Sequence, residues 1–162
     1  MLVGRAFGCS GMYYCGEEDI QLHYTLDKVR QNWGGNFFLK YIDEPKEFIK
    51  GWKKKDGIVV HLTMYGINIL KLEEKIKKLY LEKDLMVVIG SSKVPLDFYK
   101  IADLNIAIGH QPHSEIAALA LFLDRIFSGK ELEMEFPDAK FKIIEENHAK
   151  RVTKTPESLN NY

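Results

Sequence analysis

The sequence predicts an α/β fold in which a parallel sheet carries helices on both faces. Its predicted strands are continuously apolar, as in residues 57–62 and 85–89, and they alternate with helical segments. The chain has 162 residues, which is enough for one domain with a substantial core. We expect residues 1–146 to form a single domain and the polar residues 147–162 to fray.

Local patterns define the elements in chain order. Gly34 and Gly35 end the first long helix, whose expected apolar side includes Ile20 and Tyr24. Pro45 lies in the first turn of the second helix. After Gly129 the pattern weakens, and residues 131–145 are compatible with an edge strand or a short helix. The predicted strands span residues 11–15, 36–42, 57–62, 85–89 and 104–108, and the predicted helices span residues 19–33, 45–54, 68–83, 95–102 and a last segment with residues 112–115 as its first turn and Gly129 as its stop.

The last predicted helix is unusual, because residues 116–123 contain no polar side chain. A helix with one solvent-facing side shows an apolar stripe rather than an apolar cylinder. We therefore expect the chain's own sheet to cover one side of this helix and a second copy of the chain to cover the other. Burial inside a single domain is the alternative.

Composition gives little indication of a partner. The 23 basic and 23 acidic side chains cancel, so any contact with RNA must come from local patches. Two basic runs are candidates for such patches, although a charged run is usually a solvated surface. They are Lys50, Lys53, Lys54 and Lys55 beside Trp52, and Lys140, Lys142, Lys150, Arg151 and Lys154.

The sequence argues against a metal site and a membrane span. Cys9 and Cys15 lack metal-type spacing and are expected to be reduced thiols. His110 and His113 lie close together without a further cluster of ligands, so we expect no metal. No apolar run approaches the ~18 residues that suggest a membrane helix, and the first residues have no signal-peptide layout. We therefore expect a cytoplasmic protein.

Three distinctive segments follow predicted strands: residues 61–66, 90–95 and 109–115. In a parallel sheet they leave the same edge, where α/β proteins bind ligands. The Gly-Ser-Ser-Lys run at residues 90–93 is a candidate anion cradle, but its spacing is not that of a P-loop. His61 fits either a ligand site or a core position at the strand end.

These segments resemble a known family. His61-Leu-Thr-Met-Tyr-Gly66, Gly90-Ser-Ser-Lys-Val-Pro95 and Gly109-His-Gln-Pro-His-Ser-Glu-Ile-Ala-Ala-Leu-Ala120 closely resemble the archaeal tRNA (cytidine(56)-2′-O)-methyltransferases of the SPOUT superfamily. Arg5-Ala-Phe-Gly8 and Trp33-Gly-Gly35 are also similar to that family, so the resemblance covers nearly the whole chain. It implies a deep C-terminal trefoil knot, an S-adenosyl-L-methionine cofactor, a tRNA substrate and a homodimer through the last helix.

The resemblance also implies site residues. Candidates for handling the proton of the ribose 2′-hydroxyl are His113, Glu115 and Arg5, and Ser114 is a candidate for holding the ribose. Capping of the last helix is the alternative for His113 and Ser114. Methyl transfer of this kind needs no metal. Carried over residue by residue, cofactor binding falls on Leu62, Gly90, Ser91, Ser92, Lys93, Val94, Ile108, Gly109, His110, Gln111, Pro112, His113, Ser114 and Glu115.

One family feature has no match in this sequence. Family members carry a first strand and an arginine-rich loop ahead of the segment that corresponds to Arg5, and one arginine there is thought to help activate the ribose hydroxyl. From this we expect the chain as given to bind the cofactor and to methylate tRNA poorly. The alternatives are a catalytically impaired RNA-binding SPOUT protein and a flavodoxin-like protein that binds a nucleotide cofactor.

Overall fold

The computed structural model describes residues 1–90 and 94–155, and it divides the chain into two compact units. Unit 1 takes Met1–Tyr41 and the chain from Met134 onward, and unit 2 takes Ile42–Glu133. The prediction of one domain over residues 1–146 stays a prediction. Within the described residues, no helix combines the length and the apolar character that crossing a membrane requires.

Unit 1 pairs two short strands in parallel beside one long helix. Tyr14, Leu26, Phe37 and Leu39 form its buried core. The long helix begins where the Asp19 carboxylate accepts a hydrogen bond from the Gln21 amide at 2.8 Å. The elements of this unit are α1 (Leu2–Ala6), β1 (Gly11–Tyr14), α2 (Ile20–Trp33), β2 (Phe38–Tyr41), β6 (Phe141–Ile144) and β7 (Arg151–Lys154).

Two sequence predictions for unit 1 are wrong. Ile20 and Tyr24 are 77% and 56% exposed, so they do not lie on the apolar side of α2, where Leu26 is buried. The segment expected to fray contains β7, which pairs antiparallel with β6. This pairing gives the polar residues backbone partners that their composition does not indicate.

Unit 2 contains a parallel three-stranded sheet in the order β4-β3-β5. Val59, Val60 and Ile106 on the strands and Ile76 and Phe122 on the helices are fully buried. The elements are α3 (Pro45–Lys54), β3 (Ile58–Asn68), a 3₁₀ turn (Ile69–Lys71), α4 (Glu73–Glu82), β4 (Leu85–Val88), α5 (Leu96–Ile101), β5 (Leu104–Ala107), α6 (Glu115–Phe127) and a second 3₁₀ turn (Lys130–Glu133). The prediction of an α/β fold with parallel strands and helices is confirmed.

Strand β3 is longer than the sequence predicts, and it contains the segment expected to be a loop. Its pairing with β5 is irregular, because Leu62 and Ile67 are both matched to Ile106. Gly66 lies within this irregular stretch. A Cβ at Gly66 would come within 2.5 Å of the Asn105 backbone, so only glycine lets the two backbones approach this closely.

Helix α6 begins at Glu115 rather than at Pro112, since Ser114 is its N-cap. The apolar residues of α6 lie on two faces of the helix. Phe122 and Leu123 are buried within the chain, whereas Ile116 and Leu121 are 63% and 50% exposed. The chain therefore covers one side of α6 and leaves an apolar strip on the other.

Candidate active site

The chain leaves the unit 2 sheet at one edge after β4 and after β5, as the sequence predicts, whereas residues 61–66 remain within β3. His61 of β3 is matched to Val88, the last residue of β4, and to Asn105 of β5. The chain therefore continues from β4 into Gly90 and from β5 into Ile108 on either side of β3. The predicted cofactor contacts of Ser91, Ser92 and Lys93 lie outside the described residues.

A hydrogen bond between the buried His61 and the half-buried Asn105 joins β3 to β5 at this edge. His61 is 1% exposed, and its Nδ1 lies 2.9 Å from the Asn105 Oδ1. The Asn105 Nδ2 donates to the Tyr99 carbonyl at 2.9 Å, so the Asn105 Oδ1 is left as the acceptor. The proton of this bond therefore belongs to the His61 Nδ1.

Tyr99 of α5 extends this network along β3. Its ring meets the His61 ring edge-on, with centroids 4.7 Å apart. Its hydroxyl lies 2.9 Å from the Thr63 Oγ1. Farther along, the His110 Nδ1 donates to the Met64 carbonyl at 2.8 Å. Side-chain hydrogen bonds thus connect β3, the helix that follows the 90–95 segment, and the 108–115 segment.

His61 is a core histidine that the network keeps neutral. Burial lowers the pKa of His61 from its ordinary value of 6.5, and the hydrogen bond to Asn105 opposes this only in part. An imidazolium here would be a charge removed from water without an acidic partner. His61 therefore acts by positioning the strands around it.

The segment from Ile108 to Glu115 presents the predicted catalytic groups. Ser114 Oγ accepts hydrogen bonds from the amides of Ile116 and Ala117 at 3.2 and 3.5 Å. His113 and Glu115 on either side of it are exposed. Glu115 also occupies the first turn of α6, where the free amides of the helix favour a negative charge. The chain thus groups an acid, an imidazole and a hydroxyl in three consecutive residues.

The backbone of this segment leaves room for a ligand. Gly109 has φ +111°, a conformation that other residues rarely adopt, and a Cβ placed there would meet no atom within 4 Å. Gly90, Val94 and Ile108 are half-buried, and residues 110–112 are exposed. Leu62 differs, because its side chain is 8% exposed in the core and leaves only its backbone for a ligand.

Arg5, the remaining candidate for handling the proton, has contacts of its own. It lies in unit 1, is 6% exposed, and donates from Nη2 to the carbonyls of Trp33 and Gly34 at 2.8 and 2.6 Å. Its guanidinium also sits 4.5 Å from the centroid of the Phe136 ring. Burial lowers the pKa of Arg5. These contacts hold the guanidinium in place, and the catalytic role of Arg5 stays a prediction.

Sequence reasoning missed Thr63, Tyr99 and Asn105. One signal was available: Asn105 interrupts an apolar strand, as His61 does in β3, and two such polar residues on neighbouring strands tend to pair. The tyrosine and threonine contacts depend on where α5 packs, which no local pattern reveals. Among the described residues, no three His, Cys, Asp or Glu side chains are grouped to hold a metal, and the expected absence of a metal stays a prediction.

Comparison with known proteins identifies the family. The model of the family described as "tRNA ribose 2′-O-methyltransferase, aTrm56" matches residues 33–153. The chain belongs to this family. The tRNA (cytidine(56)-2′-O)-methyltransferase of Sulfurisphaera tokodaii is 49% identical over 154 residues, which cover 94% of this chain and 89% of that protein. The enzyme of the same description from Saccharolobus solfataricus is 46% identical over 157 residues, which cover 96% of each. The resemblance predicted from the sequence is confirmed.

Solved structures of SPOUT type share the fold. The A. aeolicus TrmH/SpoU tRNA modifying enzyme has a TM-score of 0.57 at 18% identity, covering 81% of this chain and 66% of that one. The SpoU methyltransferase AviRb from Streptomyces viridochromogenes, in complex with the cofactor AdoMet, has a TM-score of 0.58 at 10% identity, covering 79% of this chain and 53% of that one. The chain thus spans between half and two thirds of these structures, and the likeness concerns the fold alone.

The buried imidazole predicts a pH dependence of stability. The unfolded chain takes up a proton on His61 near pH 6.5, whereas the folded chain, with its lowered pKa, resists protonation there. The free energy of unfolding should therefore fall as the pH drops below 6.5, by at most about 1.4 kcal/mol per pH unit from this group. Urea unfolding at several pH values should give a shallower slope for His61→Gln than for the unsubstituted protein. His148→Gln, at an exposed histidine, is the control and should keep the original slope, and equal slopes for all three proteins would contradict the assignment.

Proposed function

We propose that this chain transfers a methyl group from S-adenosyl-L-methionine to the ribose 2′-oxygen of cytidine 56 in the TΨC loop of tRNA. The observation that carries the proposal is the family match over residues 33–153. That range includes all three segments that meet at the edge of the unit 2 sheet. The family match favours this function over a flavodoxin-like nucleotide-binding protein.

The residues present fit the cofactor. Gly109 exposes its backbone beside open space, which suits a ligand that packs against the main chain. The residues that would hold the cofactor are the backbone of Leu62, Gly90 with the segment up to Val94, and Ile108 to Glu115. When bound, S-adenosyl-L-methionine supplies a methyl group on a positively charged sulfur, which is a good leaving group.

The chain must orient the ribose hydroxyl and accept its proton. Ser114 Oγ uses its lone pairs on the helix amides, so its own O–H remains free to donate to a ribose oxygen. Glu115 and His113 lie beside it as candidate proton acceptors. Such alignment contributes roughly 7–11 kcal/mol to lowering a barrier, and a general base typically contributes roughly 10²–10⁴-fold in rate.

Incubation with methyl-labelled S-adenosyl-L-methionine and unmodified tRNA tests this function. Mass spectrometry of nuclease fragments should place one added methyl group on the ribose of cytidine 56. A matched tRNA with 2′-deoxycytidine at position 56 lacks the reacting oxygen and should remain unlabelled. Methylation of a base, or equal labelling of the deoxy substrate, would refute the proposal.

A pair of glycine substitutions tests the cofactor pocket. Gly109 and Gly129 both have positive φ and both face open space, so replacement by alanine strains each backbone by about 1–2 kcal/mol. Only the methyl group at position 109 would enter the proposed pocket. Calorimetry should show S-adenosyl-L-methionine binding weakened about tenfold or more in Gly109→Ala, a loss of about 1.4 kcal/mol or more. Gly129→Ala should bind normally, and equal affinities would show that the pocket lies elsewhere.

We also propose that two chains associate through the exposed strip of α6. Ile116 and Leu121 would become buried in such a dimer, which gives the apolar helix its second covered side. Family membership supports the same dimer, a deep C-terminal trefoil knot and a cytoplasmic location, where tRNA is found.

Charge placed on that strip should separate the two chains. Ile116→Glu combined with Leu121→Glu would bury two unpaired carboxylates in the interface, so analytical ultracentrifugation should detect monomers. Leu123 is unsuitable for this test, because it faces the chain's own core. Ile20→Glu combined with Leu81→Glu, at positions 77% and 82% exposed, is the control and should leave a dimer. An unsubstituted protein that sediments as a monomer at micromolar concentration would refute the interface.

A further inference from the structure

The structure distinguishes the two basic runs. On α3, Lys53 pairs with Asp103 at 2.8 Å, and Lys50 pairs with Glu47. Lys53 also donates to the Ile101 carbonyl at 2.8 Å. Much of the positive charge of this run is therefore neutralised by carboxylates of unit 2 itself.

The second run lies on the hairpin formed by β6 and β7. Phe141 packs against Trp33 with ring centroids 6.1 Å apart, so the side of the hairpin that carries Phe141 faces α2. Because side chains alternate along a strand, Lys142 of β6 projects from the opposite side. Arg151 projects there too, since it is matched to Ile144. These two cations and Lys140, which precedes β6 and lines a groove beside α2, are together called the outer hairpin face below.

The outer hairpin face is positively charged and open to solvent. All three cations are exposed. Within residues 1–90 and 94–155, neither Lys140 nor Arg151 has an ion-pair partner, whereas Lys142 pairs with Glu135. Residues 138–154 carry five cations against three carboxylates. The excess positive charge of this segment is thus available to another molecule.

A polar groove adjoins the same face. Lys140 and Asp138 line one side of the groove, and Arg30, Gln31 and Asn36 line the other. Its remaining lining is Asp27, Gly34 and Gly35, so no apolar side chain contributes. The ion pair between Arg30 and Asp27 is long, at 3.9 Å, and exposed, which leaves the guanidinium available to a stronger acceptor.

We propose that the outer hairpin face, together with Arg30 across the groove, docks the sugar-phosphate backbone of the tRNA substrate. Lys142 lies on β6 and Lys140 lies two residues earlier, just before the strand. Two residues of extended chain span roughly 6–7 Å, a spacing similar to that of successive phosphates. Lysine and arginine on an exposed surface bind phosphates without reading sequence. The proposal rests on the proposed function and names the surface that engages its substrate.

A nucleic acid fits this face better than a second copy of the chain. Stable interfaces between copies have apolar centres, whereas the outer hairpin face carries three cations beside one half-buried apolar side chain, Ile144, and the groove is polar. The copies would also bring like charges together, which is unfavourable. The phosphate backbone supplies the opposite charge along an extended line.

Two substitutions of opposite effect test the proposal. Lys140→Ala with Arg151→Ala removes two cations and should raise the Kd for tRNA about tenfold or more. It should also lower the salt dependence of binding by about one unit of slope for each phosphate that is no longer neutralised. Glu135→Gln frees Lys142 and should tighten tRNA binding several-fold, a gain that no damage to folding would produce.

Matched controls on α3 remove the same charges from the other basic run. Lys50→Ala with Lys54→Ala, and Glu47→Gln, should leave the Kd for tRNA unchanged. Binding is measured by fluorescence anisotropy at several salt concentrations, and calorimetry with S-adenosyl-L-methionine should give the same cofactor affinity for all variants. The KM for tRNA should follow the Kd, while kcat at saturating tRNA stays within about twofold.

Each result has a defined meaning. Normal tRNA binding by the hairpin variants, or weakened binding confined to the α3 variants, overturns the docking surface and leaves the proposed function intact. A change in sedimentation of the hairpin variants would show that the face contacts a second copy, and it also overturns the proposal. An unsubstituted protein that binds tRNA no better than an unrelated RNA and transfers no methyl group would instead refute the proposed function.

Discussion

The hydrogen bond between His61 and Asn105 is the interaction on which the candidate site depends. Both residues are polar members of otherwise apolar strands, and each satisfies the other. An unpaired buried group of this kind costs about 1–3 kcal/mol. A shift of one residue in the pairing of β3 with β5 would leave both side chains without a hydrogen-bond partner and would move the apolar side chains to the opposite face of the sheet. The bond therefore fixes the register of the two strands whose continuations form the site.

Tyr99 also restrains the position of α5, the helix that follows residues 90–95. Its carbonyl accepts from Asn105 and its hydroxyl contacts Thr63, so α5 cannot shift without breaking contacts to both β3 and β5. Because α5 follows residues 90–95, these contacts fix the position of the chain at the C-terminal end of that segment. A site that aligns an oxygen with a methyl group needs such rigidity, since small misplacements cost large factors in rate. The catalytic candidates at 113–115 contribute chemistry, and the buried network contributes their placement.

The sequence predicts unit 2 better than unit 1, for a physical reason. In unit 2 the strands are buried on both sides and separated by helices, so apolar runs and glycines mark their limits to within a few residues. The exception is β3, where Gly66 is typical of a turn but instead allows close backbone contact with Asn105. In unit 1, β7 is exposed along its whole length and has no burial pattern to detect. Likewise Ser114 and Gly109 follow from the sequence, whereas the Tyr99 contacts depend on tertiary packing.

A chain of zero net charge binds a polyanion only where its positive charges are concentrated on one part of the surface. Local ion pairs produce this separation of charge. On α3, lysines pair at short range with Asp97 of α5 and with Asp103 just before β5, as Lys46 does with Asp97 at 2.9 Å. On the hairpin, Lys142 has Glu135, while its neighbours on the same face have no acidic partner among the described residues. Equal totals of acid and base thus hide two different surfaces, one in which half of the lysines of the run are paired and one that is more open. Part of the open surface lies on β7, in the segment that composition alone predicts to fray, because polar residues outside a core are free to face a charged partner.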